Sequence, residues 1–199
     1  MLLMLTLAGG CRTIVVPPSQ PVDPVDVVLV DYGRHASLGL PRGENTFVEY
    51  AYGDWRWFAL GRNRWYDSFT TILVPTRGTL GRHTLARHAD REPADEWDES
   101  LRTITFQVSA GDAQRLLTEL DERYAANAGT EIHNAENGLT FVHDDMAFHA
   151  FNTCNHEVAR WLRALGCDVR SPPSPGAYEF RPVVPAATRP KAVSDDPPP

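Results

Sequence analysis

The chain opens on an apolar segment and then alternates between short hydrophobic runs and polar turns. Three runs rich in β-branched and aromatic residues follow one another with turn residues between them, and they are residues 25–30, 35–40 and 46–52. This spacing predicts a meander of three consecutive strands. Residues 103–108 alternate apolar and polar side chains as a half-buried strand does, and residues 68–74 carry another strand pattern.

Two later segments show the spacing of apolar residues that is typical of helices. In the first, Asp112 stands where an N-cap would, and apolar residues recur at helical intervals until Asn127. The second follows the N-cap residue Thr153 and ends at Gly166. Its apolar stripe begins with Cys154, so we expect this cysteine in the first turn, on the buried face.

The two ends of the chain are predicted to lie outside the folded domain. Residues 12–24 are rich in proline and are expected to form an extended tether. Residues 181–199 are also rich in proline, bury almost nothing and are expected to be disordered. The acidic segment 92–100 is expected to be a surface loop. The prediction is therefore a single α+β domain over residues 25–180, with an antiparallel sheet packed on helices.

The N-terminal segment indicates the compartment. The apolar run at residues 1–7 is too short to span a bilayer, and the small residues 8–10 follow it, directly before Cys11. This arrangement resembles a bacterial lipoprotein signal peptide with its lipobox, in which Cys11 becomes the lipidated N-terminus. Together with Arg12, the resemblance implies an outer-membrane anchor that faces the periplasm. The alternative is an uncleaved apolar segment with a buried cysteine.

Composition and charge narrow the classes of function. The 199 residues are 42% hydrophobic and 23% charged, which is enough apolar material for a packed core. Nineteen basic and 26 acidic residues give a net charge of −7, which argues against nucleic-acid binding. No phosphate-binding glycine loop is present, so no nucleotide or other cofactor is expected. His83 and His88 lack the spacing of zinc ligands on a helix, so no metal is expected either.

Cys154 is the residue best placed for nucleophilic chemistry. A thiol in the first turn of a helix lies at the positive end of the helix dipole, which favours the thiolate. A nucleophile also needs a base and a group that orients the base. His35 and Glu49 lie on consecutive predicted strands and are expected to be neighbours, with Asp54 in reserve as the orienting group. Three other interpretations stay open: a small core residue for Cys154, a hydrogen-bonded core histidine for His35, and a solvent-facing strand residue for Glu49.

Three segments of the chain carry a family resemblance, and they are residues 32–39, 47–54 and 153–162. They resemble an uncharacterised bacterial family of secreted or membrane-attached domains with a Gly-x-His strand, a Glu strand that ends in Gly-Asp, and a late Thr-Cys-Asn helix start. The same order of parts is similar to the permuted papain-like fold of lecithin:retinol acyltransferase-type proteins and cell-wall cysteine peptidases. The resemblance implies that Cys154 is the nucleophile, His35 the general base, and Glu49 or Asp54 the orienting group.

The resemblance also implies a function. We expect a thiol-dependent hydrolase or acyltransferase of the bacterial envelope that acts on amides or esters, with a peptidoglycan peptide or an acyl-lipid as substrate. The alternative is a catalytically inactive envelope lipoprotein that uses the same cleft to bind cell-wall fragments or a protein partner. The enzyme requires Cys154, His35 and an acid to converge within about 3 to 4 Å, and a binding protein does not.

Overall fold

The structure is a computed structural model, and the residues that it describes are 12–32, 35–43, 46–62, 74–86, 102–170 and 178–181. Several sequence predictions lie outside these residues: the lipobox with Cys11, most of the strand at 68–74, the loop at 92–100, His88, and the tail beyond Arg181.

The described residues form ten strands and two α-helices. In chain order they are β1 (Thr13–Val16), β2 (Pro24–Asp31), β3 (Ala36–Pro41), β4 (Thr46–Asp54), β5 (Thr76–Ala86), β6 (Arg102–Ser109), α1 (Ala110–Ala126), β7 (Ile132–Asn134), β8 (Leu139–Phe148), α2 (Cys154–Ala164), β9 (Asp168–Arg170) and β10 (Tyr178–Phe180). A π-helical turn, Trp55–Ala59, follows β4, and a 3-10 turn, Ala128–Thr130, follows α1. Neither described α-helix is long and apolar enough to cross a membrane.

Seven strands form one antiparallel sheet in the order β6-β2-β3-β4-β5-β8-β7. The register places Leu38 of β3 between Leu29 of β2 and Tyr50 of β4. All three side chains are fully buried on one face, and Leu120 of α1 and Leu162 of α2 join them in the main core. The predicted meander and the α+β class are confirmed, because alternate residues of β2 to β4 are apolar and the helices cover that face.

Helix α1 begins earlier than the sequence predicts. Strand β6 continues directly into the helix, and Ser109 rather than Asp112 occupies the N-cap position. The Ser109 hydroxyl accepts the amide of Val22 at 3.0 Å, which ties the start of the helix to the segment before β2. Asp112 lies inside the first turn and pairs with Arg115, where its charge still favours the helix N-terminus.

A second, three-stranded sheet changes the interpretation of the N-terminal segment. Residues 13–16, which the sequence places in an extended tether, form β1 between β9 and β10. All four residues of β1 are β-branched, a composition that favours a strand, and Val15 is fully buried. Thr13 pairs with Tyr178 of β10 in parallel, and Ile14 pairs with Arg170 of β9 in antiparallel. The segment that follows the predicted lipidation site is therefore part of the domain.

Candidate functional site

Cys154 is the first residue of α2, as predicted. Thr153 is the N-cap, and His156 completes a capping box, with 2.8 Å between the Thr153 hydroxyl and His156 Nδ1. Cys154 is only 7% exposed, because α2 packs its first turn against the large sheet. Cys167, which follows the same helix, is also buried, and both thiols are free.

The environment of the Cys154 sulfur opposes ionisation. Burial raises the pKa of the thiol to about 11, and hydrogen bonds from the backbone N–H groups of Asn155, Cys154 and Ala36 lower it by less. The expectation of a thiolate at the helix N-terminus is therefore not met in this structure. The helix dipole and its N–H groups are present, but removal of the sulfur from water outweighs them.

The backbone next to His35 contacts the Cys154 thiol. The N–H of Ala36, in the peptide bond that joins it to His35, is one of the three that bond to the Cys154 sulfur. The imidazole ring packs between two aromatic rings, with centroid distances of 5.8 Å to Tyr32 and 4.5 Å to Phe58. Its Nδ1 atom is buried and has no hydrogen-bond partner among the described residues. Burial lowers the pKa of His35 to about 4, so the ring is neutral at physiological pH.

Glu49 lies in the middle of β4 and is 5% exposed, so it is not a solvent-facing strand residue. Its Oε1 accepts the Tyr32 hydroxyl at 3.1 Å and also the Ser37 hydroxyl. Among the described residues, the Glu49 carboxylate does not make the predicted direct contact with His35, because both of its hydrogen bonds come from hydroxyl groups. Tyr32 lies between the two, because its ring contacts His35 and its hydroxyl contacts Glu49.

Asp54, the reserve orienting group, has a structural role. It ends β4 and is 1% exposed. One carboxylate oxygen accepts the Trp57 amide at 2.8 Å and caps the π-helical turn, and the other accepts the Thr76 hydroxyl at 2.5 Å. Both oxygens are therefore used to hold the turn that carries Phe58, so Asp54 contributes to the His35 environment only through that ring.

A buried polar group from β10 also lies near the thiol. Tyr178 is 1% exposed, and its hydroxyl donates to Asn155 Oδ1 at 3.2 Å. Its amide donates to Asp31 Oδ2 at 3.2 Å, at the end of β2. Burial raises the pKa of Tyr178 well above its usual range, and the nearby Cys154 and Asp31 raise it further. Sequence reasoning missed Tyr178, since it stands alone in a Pro-rich segment with no helical or strand pattern.

Buried ion pairs hold helix α2 in place. Arg123 of α1 donates to Asp144 of β8 at 2.6 Å and also to Glu157, three residues after Cys154. Glu157 further pairs with Arg160 of its own helix. The Asp144 and Glu157 side chains are 1% and 2% exposed, so these pairs are shielded from water. They fix the orientation of the first turn of α2, and with it the position of the thiol.

Other kinds of site find no support in the parts of the chain that the structure describes. No three His, Cys, Asp or Glu side chains group there as metal ligands do. His83 contacts the carbonyl of Gly138 at 2.7 Å. A shallow groove of about 380 Å³ lies at the opposite end of β2 and includes Pro24 and Phe47. Its lining includes no cysteine, serine or histidine.

Comparisons with protein-family models, with curated proteins and with solved structures found no match to this chain.

Proposed function

We propose that this protein is a thiol-dependent acyl hydrolase or acyltransferase of the bacterial cell envelope, with Cys154 as nucleophile and His35 as general base. The observation that carries the proposal is the contact of the His35–Ala36 peptide with the Cys154 sulfur, beside a buried imidazole whose Nδ1 has no partner. A base at a strand start and a thiol at a helix start are the parts that the resembled permuted papain-like fold brings together.

The proposed reaction starts from a neutral thiol and a neutral imidazole. Cys154 attacks the carbonyl carbon of an ester or amide while His35 takes the thiol proton. The carbon–sulfur bond forms, the bond to the leaving oxygen or nitrogen breaks, and His35 returns the proton to the leaving alcohol or amine. Water or a second acceptor then releases the acyl group and restores the thiol. The backbone N–H groups that bond to the sulfur stabilise its negative charge as His35 removes the thiol proton.

Glu49 acts in this proposal as a positioning residue rather than as a direct partner of the base. Its carboxylate holds the Tyr32 hydroxyl at 3.1 Å, and the Tyr32 ring supports one face of the His35 ring. Loss of the Glu49 carboxylate therefore releases Tyr32 before it affects His35. We expect Glu49→Gln to lower activity less than His35→Gln does.

A second candidate function is that of an inactive envelope lipoprotein that binds cell-wall fragments or a protein partner. The low exposure of Cys154, at 7%, favours it, and so does the pKa of the thiol, which burial raises to about 11. Both features are those of a core cysteine.

Labelling with an alkyne-tagged β-lactone, which acylates nucleophilic thiols, tests the proposal. The site of labelling is identified by peptide mass spectrometry, with Cys154→Ala as the blank and Cys167 as the internal reference. We expect labelling of Cys154 that falls at least about tenfold in His35→Gln, the scale of a lost general base. His133→Gln is the matched control, since His133 lies on β7 at the edge of the large sheet, with its Nδ1 at 3.3 Å from the Thr140 hydroxyl.

Circular dichroism and thermal unfolding show whether each variant is folded. Equal labelling of Cys154 in the two histidine variants, or labelling no faster than that of Cys167, would overturn the proposal and leave the binding lipoprotein.

A further inference from the structure

Strand β10 is attached to the large sheet through the backbone of Tyr178. The Tyr178 amide donates to Asp31 Oδ2 at 3.2 Å, and the Tyr178 carbonyl accepts a hydrogen bond from the Arg102 guanidinium. Asp31 of β2 lies opposite Arg102 of β6 in the sheet register, with 3.7 Å between the carboxylate and the guanidinium. The parallel pairing of Tyr178 with Thr13 of β1 adds a further constraint. The backbone of Tyr178 is therefore held from two sides.

The side chain of Tyr178 extends from this backbone to the first turn of α2. It is almost fully buried, and its hydroxyl donates to Asn155 Oδ1 at 3.2 Å. Asn155 is also buried, so water does not compete for this hydrogen bond. Burial raises the pKa of Tyr178 well above its usual range, so the hydroxyl keeps its proton while the Cys154 thiol ionises. The hydroxyl is therefore a donor in both states of the thiol.

Asn155 is one of the residues whose backbone binds the sulfur. The N–H groups of Cys154, Asn155 and Ala36 form hydrogen bonds to Sγ of Cys154. Two of these residues begin α2, and the third begins β3. The directions of the two helical N–H groups depend on how the first turn of α2 is held. The Tyr178 hydroxyl holds that turn through the side chain of Asn155.

We propose that Tyr178 is a positioning residue for Cys154, and that its hydroxyl holds Asn155 so that the Asn155 N–H stays directed at the sulfur. This inference rests on the proposed function, in which the sulfur gains negative charge as His35 removes its proton. A sulfur with three N–H donors carries that charge at a lower cost than a sulfur with two. Tyr178 acts only through Asn155 and transfers no proton itself.

The size of the effect follows from the number of donors. Two or three backbone N–H bonds lower the pKa of a carboxylate by about two units, so one bond changes the ionised population by about fivefold. Loss of one donor should lower the thiolate population of Cys154 at a fixed pH by the same factor. Destabilisation alone acts in the opposite direction, because local opening exposes a buried thiol to reagent. Cys167 reports such opening, since it is buried at the other end of α2.

The test compares the iodoacetamide rate constants of Cys154 and Cys167 in the full-length protein at pH 9, by peptide mass spectrometry. The measured quantity is the ratio of the Cys154 rate to the Cys167 rate. The variants are Tyr178→Phe, Asn155→Leu and the double variant. Asn155→Leu keeps the backbone N–H and removes only the side chain that accepts the Tyr178 hydroxyl. Circular dichroism shows whether each variant is folded.

Tyr124→Phe is the matched control. Tyr124 is also almost fully buried, but it lies on α1 and its hydroxyl donates to Glu131 at 2.8 Å. The control therefore removes one hydroxyl from a buried tyrosine without a change at the start of α2.

We expect the ratio to fall about fivefold in Tyr178→Phe and in Asn155→Leu, and to stay unchanged in Tyr124→Phe. The double variant should show the same fivefold fall rather than the product of two falls, because both changes remove one hydrogen bond. Acylation of Cys154 by the β-lactone should also fall about fivefold in Tyr178→Phe. Addition of His35→Gln to that variant should lower it about tenfold further.

A ratio that is unchanged or higher in Tyr178→Phe would overturn the inference, because the hydrogen bond would then serve only the stability of the fold. A double variant with the product of the two single effects would also overturn it, since Tyr178 would then act independently of Asn155. If Tyr178→Phe does not fold, the ratio in Asn155→Leu decides in the same way. Failure of the proposed function gives a different result, in which β-lactone labelling does not respond to His35→Gln while the ratio still falls in Tyr178→Phe.

Discussion

His35 makes the stability of this protein depend on pH in a way that can be calculated. The folded-state pKa of about 4 lies below the ordinary value of 6.5, because burial disfavours the charged ring. The unfolded chain therefore binds the extra proton first as the pH falls, and protonation favours unfolding. Stability from His35 is complete above pH 6.5 and is lost towards pH 4. Linkage over these two values gives a loss of about 2 kcal/mol between pH 7 and pH 5.

Urea unfolding at pH 7.0, 6.0 and 5.0 measures this loss for the wild type and His35→Gln. All the other titratable groups are present in both proteins, so the contribution of His35 is the difference between their changes in the free energy of unfolding. We expect the free energy of unfolding of the wild type to fall by about 2 kcal/mol more than that of His35→Gln. If the fall in the free energy of unfolding between pH 7.0 and pH 5.0 differs by less than about 0.5 kcal/mol between the wild type and His35→Gln, then His35 is not held neutral by burial.

Three further predictions concern the thiol, the buried charges and the sheet. The alkylation rate of Cys154 by iodoacetamide should rise about tenfold per pH unit from pH 7 to 10, since burial raises its pKa to about 11, and a plateau near pH 7 would contradict this. Arg123→Met should lower the free energy of unfolding by about 3 to 5 kcal/mol, because the buried Asp144 carboxylate loses its ion-pair partner and the buried Glu157 keeps only Arg160. Arg115→Met, on the exposed face of the same helix, should change it by less than about 0.5 kcal/mol in the same urea titration. Gly78→Ala should cost about 1 to 3 kcal/mol by thermal unfolding, because its methyl group meets a backbone carbonyl of β8, and Gly129→Ala, where space is open, should not.

The strands that the sequence predicts are those with an uninterrupted apolar face. β2, β3 and β4 are buried over most of their length, and their runs of apolar residues are visible without the structure. β5 and β8 were missed, although they lie at the centre of the sheet's second half. β5 contains Gly78 and Gly81, which are there because Tyr52 and Phe141 approach the backbone closely. Small residues that make room for a neighbour leave no hydrophobic signal of their own.

The N-terminal segment shows a different limit of sequence reasoning. Residues 13–16 have the composition of a strand, but the prolines that follow, beginning with Pro17, favoured an extended tether. The partners that fix β1 are β9 and β10, which follow it by more than 150 residues. Pairing at this separation depends on the whole fold, and no local pattern reports it.

The sequence predicts the position of Cys154 at a helix start but not the environment of its sulfur. The helix start at Cys154 follows from local N-cap residues, which the sequence contains. The pKa of Cys154 depends on how far the sheet and β10 bury the sulfur, and that is a tertiary property. The position of Tyr32 between Glu49 and His35 is likewise a tertiary property, because it depends on where the Tyr32 ring lies relative to β3 and β4.

The unpartnered Nδ1 of His35 separates the two candidate functions most clearly. A buried polar atom without a hydrogen bond costs about 1 to 3 kcal/mol, so most folded proteins satisfy such atoms. A protein that only binds a ligand gains nothing from this cost next to a thiol. An enzyme gains a base whose lone pair or proton is uncommitted until the substrate arrives, and a neutral Cys–His pair is less costly to bury than an ion pair. The same burial that delays ionisation of Cys154 therefore fits a site that transfers its proton only during attack on an acyl group.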